Sequence, residues 1–523
     1  MEHRGLIGID LGTSSVKVVI VDRTDGRLLG AASASYPIDR PQPGHAEQAP
    51  ERWWRATIDA ARRALANADH PPIDAIGLSG QMHGTVLIDR ALRPLAPAII
   101  WADQRSASQA AGIERELGSD LLRISGSRVA SGFQGASLRW LVEHEPALID
   151  ALHKVLLPKD YIRLRLTGDL ATDPADAAGT LLFDLHRGDW SEPLIAASQV
   201  DPDWLPPIVP SHAISGRLGR DAALALGLPP GIPVATGTAD APAAALGAGV
   251  VDPGSLLITL SSGAQVYAPL TSPAIDPLGR IHTFSAPSPL DPVAPWYAMG
   301  ATLNAGLALN WFRDLFDSSS DGIEPAARFE RAGTIAPGAN GLLFLPYLAG
   351  ERTPHFDPDA RGAFFGLDPS HCREHLERAV LEGIGFALLD AWQVVQEVTA
   401  SRPERIVLAG GGARSDVWRQ IIADQFGLPV VTPRSDEHSA TGAAMLAAAS
   451  LGAEIDDLVH RWVRYAPPID PRPEIHERYR SLHSIFQAAY ESSRMVNTLL
   501  AKWRPADRAE PPLSWEQTDS GSR

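Results

Sequence analysis

Short apolar runs separated by turn residues fill the first 35 positions, which is the pattern of consecutive β-strands. The runs are LIGID from Leu6, VKVVIVD from Val16 and RLLGAASASY from Arg27. Apolar spacing becomes helical from about Pro50 to Ala68, and the stretch from Ile73 to Gly80 returns to a strand pattern. The chain therefore opens as a mixed α/β domain.

A similar strand–turn–strand opening recurs roughly 250 residues later, where SLLITL, SSGA and QVYAPL follow one another from Ser255. The stretch from Arg405 to Val431 then predicts a strand, a glycine turn, a helix and a strand, as in an open α/β sheet. Apolar residues at helical spacing from His371 to Thr399 predict a long core helix. Because 523 residues exceed one ordinary core, we expect two large domains.

Two such openings resemble the duplicated actin-like (ribonuclease H-like) ATPase fold, in which two α/β domains face each other across a cleft. Any two α/β domains can contain similar hairpins, so the pattern alone leaves both interpretations open. We predict a first domain over 1–249 and a second over 250–500. The polar, Pro-rich tail over 501–523 is expected to be disordered.

Composition and charge exclude several classes of function. A formal net charge of −16 disfavours nucleic-acid partners, although a small anion can still be bound locally by main-chain amides. The single cysteine, Cys372, rules out an intrachain disulfide and fits a reducing compartment. With no signal-peptide layout and no apolar run of membrane-spanning length, we expect a cytoplasmic protein without a membrane partner.

A first candidate site is the turn after the first strand. The small residues Gly12, Thr13, Ser14 and Ser15 could bring main-chain amides to a phosphate, and Asp10 could orient a hydrated Mg²⁺. A plain hairpin with a solvated aspartate explains the same residues. The glycines Gly410, Gly411 and Gly412 likewise suit either a nucleotide or tight strand-to-helix packing.

Asp240 lies where an apolar strand gives way to an alanine-rich helix. An aspartate in this place is most often a helix N-cap, and its residues alone favour that role over a general base.

The segment SGQMHG presents Gln81, Met82 and His83 at the end of a strand. A single histidine there is commonly structural, and no partner spacing suggests zinc. Trp101 and Asp103 follow another apolar strand and could extend the same polar cluster. Asp103 and Arg105 could equally form a surface ion pair of little energetic value.

Long ordered matches make the chain resemble the FGGY carbohydrate kinases over nearly its whole length. They are SGQMHG from Ser79, PERWW from Pro50, LLPKDYIRLRLTG from Leu156, FLPYLAGERTP from Phe344 and GAFFGLDPSHCREHLERAVLE from Gly362. Such stretches are far more specific than a short glycine motif.

The resemblance assigns roles residue by residue. Asp240 matches the family's catalytic base, and Asp10 would hold Mg²⁺ through water. Sugar binding is implied for Gln81, Met82, His83, Trp101, Asp103 and Asp240. Nucleotide or phosphate binding is implied for Gly12, Thr13, Ser14, Ser261, Ser262, Gly263, Gly411, Gly412 and Asp416.

Three departures from the family pattern concern these sites. The chain has GTADA at Gly237–Ala241 where the family usually has Gly-Gly-Gly-Asp-Asn, so Ala241 replaces an asparagine expected to bind sugar hydroxyls. Ser261 stands where a Gly-Thr pair is usual and could narrow the approach of main chain to phosphate. Ser137 stands where the family's first signature has lysine.

The resemblance implies ATP- and Mg²⁺-dependent phosphorylation of D-xylulose to D-xylulose 5-phosphate. It also implies that the domain over 1–249 mainly binds sugar, that the domain over 250–500 mainly binds nucleotide, and that domain closure brings the hydroxyl to the γ-phosphate. A homodimer is expected from the resemblance alone. One alternative is a kinase of the same family for another pentulose or a pentitol. A second is a non-catalytic, nucleotide-gated sugar-sensing module, because fold does not fix function.

Overall fold

The computed structural model describes residues 4–287, 296–316 and 325–503. The strands, in chain order, are β1 (Gly5–Leu11), β2 (Ser15–Asp22), β3 (Leu28–Ser35), β4 (Glu47–Gln48), β5 (Ile73–Gly80), β6 (Val86–Ile88), β7 (Ala98–Ile99), β8 (Lys154–Leu156), β9 (Phe183–Asp184), β10 (Asp189–Trp190), β11 (Ile214–Arg217), β12 (Pro233–Ala235), β13 (Thr238–Ala239), β14 (Ser255–Leu260), β15 (Ala264–Leu270), β16 (His282–Ser285), β17 (Trp296–Thr302), β18 (Leu343–Leu345), β19 (Ala363–Phe365), β20 (Arg405–Gly410) and β21 (Val430–Val431).

The α-helices, in the same order, are α1 (Pro50–Asn67), α2 (Ala107–Leu117), α3 (Ser119–Ser125), α4 (Gln134–His144), α5 (Pro146–Ala151), α6 (Pro158–Thr167), α7 (Pro174–Gly179), α8 (Glu192–Ala197), α9 (Arg220–Leu226), α10 (Asp240–Gly247), α11 (Gly306–Phe316), α12 (Pro325–Gly333), α13 (Arg373–Thr399), α14 (Asp416–Phe426), α15 (His438–Ser450), α16 (Ile455–Trp462) and α17 (Pro473–Trp503). Short 3₁₀ turns lie at Pro202–Trp204, Ala339–Gly341 and Gly411–Arg414.

Backbone contacts divide the chain into two compact units that are not its two halves. The first unit comprises residues 1–251, 269–297 and 437–464, and the second comprises 252–268, 298–436 and 465–523. The opening segment of the first unit ends close to the domain boundary predicted at 249, but two later segments return to it. The sugar and nucleotide roles assigned to the two domains stay predictions.

The first unit is built on a sheet whose strands run in the order β11–β12–β5–β1–β2–β3, with β13 also paired to β5. Strands β1, β12 and β13 are parallel to β5, whereas β2 is antiparallel to β1. The predicted opening hairpin, the helix near residues 50–68 and the strand to Gly80 are all confirmed. Parallel strands that end at one edge bring their following loops together.

Alternating side chains of β1 bury different layers on the two sheet faces, as a period of two requires. Ile7 and Ile9 join a core with Trp53 of α1 and Tyr161 of α6. On the opposite face Leu6 joins a cluster formed largely by α15 and α16. Residues far apart in the chain thus complete both faces of this sheet.

Glycines allow α15 to lie directly on the sheet and against α10. A Cβ added to Gly8 would be 1.8 Å from the carbonyl oxygen of Ala440, and one added to Gly77 would be 1.8 Å from that of Ala443. Where α15 meets α10, a Cβ on Gly442 would be 1.9 Å from the carbonyl oxygen of Ala243. Such approaches exclude any side chain, so these three positions require glycine.

The second unit contains strands hydrogen-bonded in the order β17–β15–β14–β20–β21. Its opening hairpin, β14–β15, is antiparallel, and β20 is parallel to both β14 and β21. The sequence from 405 to 431 forms β20, the glycine turn, α14 and β21, and α13 occupies the predicted long helix. The predictions for these elements are confirmed.

Two predictions concern the ends and surfaces of the chain. Helix α17 continues to Trp503, so residues 501–503 of the predicted tail are helical, and residues 504–523 lie outside the described residues. Among the helices of the described chain, none is both long and apolar enough to span a membrane.

We predict that Gly442→Ala lowers the free energy of unfolding by about 1–3 kcal/mol, because the new methyl group overlaps the α10 main chain. Gly411→Ala is the matched control, since a Cβ at Gly411 meets no atom within 4 Å. Urea unfolding of both variants measures the difference. Equal stability of the two variants would contradict the close contact between α10 and α15.

Candidate active site

Asp10 lies near the end of β1 and is half-buried. Its Oδ1 accepts a hydrogen bond of 3.0 Å from the Ser79 hydroxyl, because Asp10 and Ser79 are paired across β1 and β5. Lys17 is its partner across β2, and the Lys17 ammonium forms a 3.2 Å ion pair with Glu437. Burial raises the pKa of Asp10 to about 6, against the opposing effects of Ser79 and Lys17.

Asp240 is the first residue of α10 and directly follows β13. Its Oδ1 accepts a 2.7 Å hydrogen bond from the amide of Ala241, while Ala239 occupies the N-cap position. The N-cap role considered from the sequence is therefore wrong, although the carboxylate does lie at the helix N-terminus. Burial, and secondly the like charge of Asp10, raises the pKa of Asp240 to about 7.

The strand ends bring the predicted sugar segment to the same edge of the sheet. Gly80, the last residue of β5, is paired with Leu11 of β1 and with Ala239 of β13. The next residue, Gln81, donates its amide to the Leu11 carbonyl at 2.8 Å. Three adjacent parallel strands therefore end side by side. β13 leads into Asp240, β5 into the Gln81–His83 segment and β1 into the turn that follows it.

Buried amide side chains connect this segment to the first hairpin. The side-chain Nε2 of Gln81 donates to Gln48 Oε1 at 3.1 Å, and the Nε2 of Gln48 donates in turn to the Thr13 carbonyl oxygen at 2.7 Å. The Trp101 indole also donates to the Thr13 hydroxyl at 2.9 Å. Because the Thr13 hydroxyl oxygen accepts the Trp101 proton, its own O–H points away from Trp101. A hydroxyl that binds phosphate must donate its proton in this way to a phosphate oxygen.

Met82 and His83 pack against the end of α7. A Cβ on Gly179 would lie 3.0 Å from Met82 Cε, and His83 Nδ1 is 2.6 Å from the Gly179 carbonyl oxygen. A carbonyl only accepts, so Nδ1 carries a proton, and Nε2 is then an acceptor whenever the ring is uncharged. The His83 ring stacks on Phe133 with centroids 3.8 Å apart and planes 6° apart.

An aromatic wall continues from His83 within the first unit. Phe284 lies 6.2 Å from His83, and His282 stacks on Phe284 at 5.5 Å. Phe133 also approaches His282 at 6.2 Å. We call His83, Phe133, His282 and Phe284 the aromatic wall. Flat apolar faces with a few ring nitrogens suit the C–H face of a sugar chain.

The Asp103–Arg105 pair is present, but it is buried rather than a surface pair. Asp103 is fully buried and its Oδ2 accepts from Arg105 at 2.8 Å and from the Ala46 amide at 2.6 Å. Arg105 also pairs with Glu47 at 2.6 Å. Its partners therefore explain Asp103 as a structural residue, and its predicted sugar contact stays a prediction.

Sequence reasoning missed a buried ionic cluster next to this edge. Lys159 Nζ lies 2.6 Å from Asp160, 3.2 Å from Asp173 and 3.4 Å from Asp176, and all four side chains are fully buried. Arg163 adds a second cation, 2.8 Å from Asp160. Burial raises the pKa of Asp176 well above its ordinary value, and the charge of Asp240 contributes. The motif LLPKDY was noted only for its resemblance.

In the second unit the three glycines divide their roles. A Cβ on Gly410 would be 2.2 Å from the Leu260 carbonyl oxygen, and one on Gly412 would be 2.6 Å from the Trp418 ring. Gly411 faces open space. Two glycines thus serve packing and one leaves main chain accessible, as a nucleotide site needs. Asp416, in the first turn of α14, is exposed and forms an ion pair with Arg419.

The second predicted phosphate turn is stabilised from within. Ser261 donates its amide to the Gly263 carbonyl at 2.9 Å, and its hydroxyl reaches the same oxygen at 3.1 Å. The Ser262 carbonyl accepts amides at the start of α11. The serine side chain therefore folds onto the turn. The predicted phosphate contacts of Ser261, Ser262 and Gly263 stay predictions.

The other two departures, Ala241 and Ser137, are buried, unlike the exposed Ser261. Ala241 contacts the base through its main-chain amide, which asparagine would supply equally. Ser137 is fully buried in α4, and its hydroxyl has no hydrogen-bond partner among the described residues.

Metal binding by Asp10 fits a water-mediated ion rather than a direct cage. Within the described ranges, no three His, Cys, Asp or Glu side chains are grouped to hold a metal ion. Mg²⁺ commonly keeps several waters and uses one or two carboxylates, so a single half-buried carboxylate is compatible with it.

Comparison with known proteins gives the family. The two α/β units, each containing the predicted strand–turn–strand hairpin, have the fold of the actin-like ATPases. Residues 6–247 match the N-terminal domain of the FGGY family of carbohydrate kinases, and residues 271–451 match its C-terminal domain. The chain belongs to the FGGY family of carbohydrate kinases and is a sugar kinase.

Individual relatives cover almost the full length. The chain is 36% identical over 503 residues to the xylulose kinase of Bacillus subtilis (strain 168), covering 95% of this chain and 99% of that protein. It is 32% identical over 496 residues to a gluconokinase of the same organism, covering 92% and 94%. The crystal structure of xylulose kinase from Rhodospirillum rubrum has a TM-score of 0.87 at 32% identity, covering 95% and 100%.

We predict opposite stability effects for two buried-carboxylate substitutions. The folded state raises the pKa of Asp240, so its ionised form opposes folding above the ordinary carboxylate range. Asp240→Asn should therefore raise the free energy of unfolding by about 1 kcal/mol at pH 8, and the gain should vanish near about pH 4. Denaturant unfolding at both pH values measures it.

Asp103→Asn is the contrasting variant, because it leaves Arg105 without its fully buried carboxylate partner. We expect it to lower the free energy of unfolding by about 3 kcal/mol. A destabilised Asp240→Asn variant at pH 8 would contradict the unfavourable environment assigned to that carboxylate.

Proposed function

We propose that this protein phosphorylates D-xylulose at its terminal hydroxyl with ATP, giving D-xylulose 5-phosphate. The observation that carries the proposal is the common edge of β1, β5 and β13, where Asp240, Asp10 and the Gln81–His83 segment leave adjacent strands. The xylulose kinases among its relatives support the choice of sugar.

Asp240 is the proposed general base that accepts the proton of the sugar hydroxyl. A base works best when its pKa is near the working pH, and burial together with Asp10 raises that of Asp240 to about 7. The Ala241 amide fixes one carboxylate oxygen and leaves the other to meet a hydroxyl. A positioned base of this kind is usually worth about 10²–10⁴-fold in rate.

His83 is the residue proposed to recognise one sugar hydroxyl through a hydrogen bond. Its ring is held by the Phe133 stack and by the Gly179 carbonyl, so Nε2 accepts a hydrogen bond in one direction. Met82, which is buried beside it, would pack on the C–H face. A sugar lacking a hydroxyl at that place would not form this hydrogen bond and would bind less well.

Phosphate positioning is assigned to the small-residue turns and to Mg²⁺. Gly12, Thr13 and Ser14 follow β1. In the second unit, a Cβ added at Gly411 would meet no atom within 4 Å, so the main chain there is accessible. When bound, Mg²⁺ would neutralise charge that develops on the transferred phosphoryl group. Asp10 would hold the hydrated ion, and its Ser79 hydrogen bond fixes the carboxylate orientation.

The exposed thiol of Cys372 fits a cytoplasmic location.

A second candidate substrate is gluconate, favoured by the gluconokinase relative. Gluconate carries a carboxylate that needs a cation or several donors. The ring contacts described for His83 are instead with Phe133 and Phe284, which suit a neutral sugar chain. We therefore rank D-xylulose first.

Coupled ADP release across a sugar panel tests the proposal. With Mg-ATP, we expect D-xylulose to stimulate turnover roughly tenfold or more over the sugar-free rate. The panel adds D-ribulose, L-ribulose, L-xylulose, xylitol, arabitol, glycerol and gluconate. Asp240→Ala is the matched control and should lose about 10²–10⁴-fold in kcat while it still binds nucleotide.

The outcomes separate the candidate functions. Preference for another pentulose, a pentitol or gluconate would keep the kinase chemistry and change the substrate. ATP binding without stimulation by any sugar would support the nucleotide-gated sensing module instead.

The pH dependence of turnover should report the carboxylate pair. We expect kcat/KM for sugar to fall about tenfold per pH unit below about 7, because protonated Asp240 cannot accept a proton. The Asp10 charge raises the pKa of Asp240, so Asp10→Asn should move this acid limb to lower pH, besides lowering the rate. A limb that stays in place in Asp10→Asn would contradict coupling between the two carboxylates.

A further inference from the structure

We propose that Thr238 is a positioning residue whose hydroxyl ties β13 to Asp173 and thereby fixes the place of the Asp240 carboxylate. This inference rests on the proposed function, because it concerns the base of that reaction. Thr238 touches neither reacting group, so it acts only through the strand that leads into Asp240.

The strand that precedes the base is too short to be held by its own ladder. β13 has only two residues, Thr238 and Ala239, which pair with Ser79 and Gly80 of β5. The preceding residue, Gly237, has a φ of +84°, and a Cβ there would be 2.5 Å from the Leu78 carbonyl oxygen. A glycine turn followed by two paired residues needs another restraint to hold a side chain in one place.

The Thr238 side chain supplies that restraint. Its Oγ1 donates a hydrogen bond of 3.1 Å to Asp173 Oδ2, and both residues are fully buried. Buried hydrogen bonds to a charged acceptor are stronger than neutral ones.

Asp173 is itself held by three partners besides Thr238. Its carboxylate caps α7 through the Ala175 amide at 3.1 Å and accepts from the Ser211 hydroxyl at 3.1 Å. The other oxygen faces the Lys159 ammonium at 3.2 Å. Thr238 is therefore bonded to a fixed point of the buried ionic cluster.

Main-chain contacts hold the same segment at a second point. Lys159 Nζ lies 3.3 Å from the Thr236 carbonyl oxygen, and Arg163 donates to that oxygen at 3.2 Å. The cluster thus holds the chain at Thr236 and again at Thr238, four and two residues before the base.

Helix α7 extends this restraint toward the sugar segment. Asp173 caps its first turn, and the carbonyl of Gly179, its last residue, accepts the Nδ1 proton of His83. One six-residue helix therefore contacts both the strand of the base and the residue proposed to read the sugar. Loosening Thr238 should misplace Asp240 without disturbing His83.

Three variants separate positioning from general stability. Thr238→Val keeps the shape but removes the hydroxyl, whereas Thr238→Ser keeps the donor. Ser211→Ala removes the other hydroxyl from the same Asp173 oxygen and leaves β13 untouched. Since misplacement of a catalytic group by about 1 Å can cost about 10²-fold, we expect kcat of Thr238→Val to fall roughly tenfold or more.

The remaining readouts define the expected pattern. The sugar KM of Thr238→Val should stay within about twofold of wild type, because His83 keeps its contacts. Thr238→Ser and Ser211→Ala should keep kcat within about threefold of wild type. Thr238→Val and Ser211→Ala should lose a similar few degrees in Tm, since each removes one buried hydrogen bond.

Two results would overturn the inference. One is a Thr238→Val kcat within about twofold of wild type. The other is a Ser211→Ala kcat that falls as far as that of Thr238→Val, which would indicate general loosening of the cluster. Failure of the proposed function is distinguishable, because the wild-type protein would then show no sugar-stimulated turnover at all.

Discussion

Contact between α15, the central sheet and α10 at distances that only glycine permits is the constraint on which the first unit depends. Gly8 and Gly77 let α15 lie on β1 and β5, and Gly442 lets α10 lie against α15. Close-packed main chains cannot slide without overlap. The start of α10, where Asp240 stands, is therefore fixed relative to the end of β1, where Asp10 stands. The distance between two catalytic candidates is set by residues that have no side chains.

That packing brings several carboxylates together. A nearby lysine and a helix N-terminus compensate only part of their negative charge. Asp10, Asp240 and Glu437 lie at the ends of neighbouring strands and helices. Lys17 is the nearby cation: its charge lowers the pKa of Asp10, and it forms an ion pair with Glu437. The N-terminus of α10 offsets some of this through the Ala241 amide, yet the pKa of Asp240 stays raised to about 7. An arrangement that opposes folding at neutral pH is typical of functional sites, because a base with an ordinary pKa would be a weaker proton acceptor.

Hydrophobic periodicity predicted the strands, the long helices and the strand-end positions of Asp10, His83 and Asp240, because these depend on local pattern. It could not predict the buried ionic cluster around Lys159, whose members come from α6 and from the start of α7. Nor could it show that the Asp103–Arg105 pair is buried, since two charges near one loop look the same on a surface. The return of residues 437–464 to the first unit depends on packing between distant segments. The family roles came from resemblance.

On the proposed function, Ala241 shifts the task of sugar discrimination to the end of β5. Its main-chain amide still serves Asp240, so the base is retained while a side-chain amide that could read hydroxyls is absent. Recognition then depends on His83, whose Nε2 is an acceptor held in one direction by Phe133 and Gly179. An acceptor of fixed direction selects the position of a hydroxyl rather than the kind of group. A shift of the sugar chain along the aromatic wall would therefore change which hydroxyl meets His83.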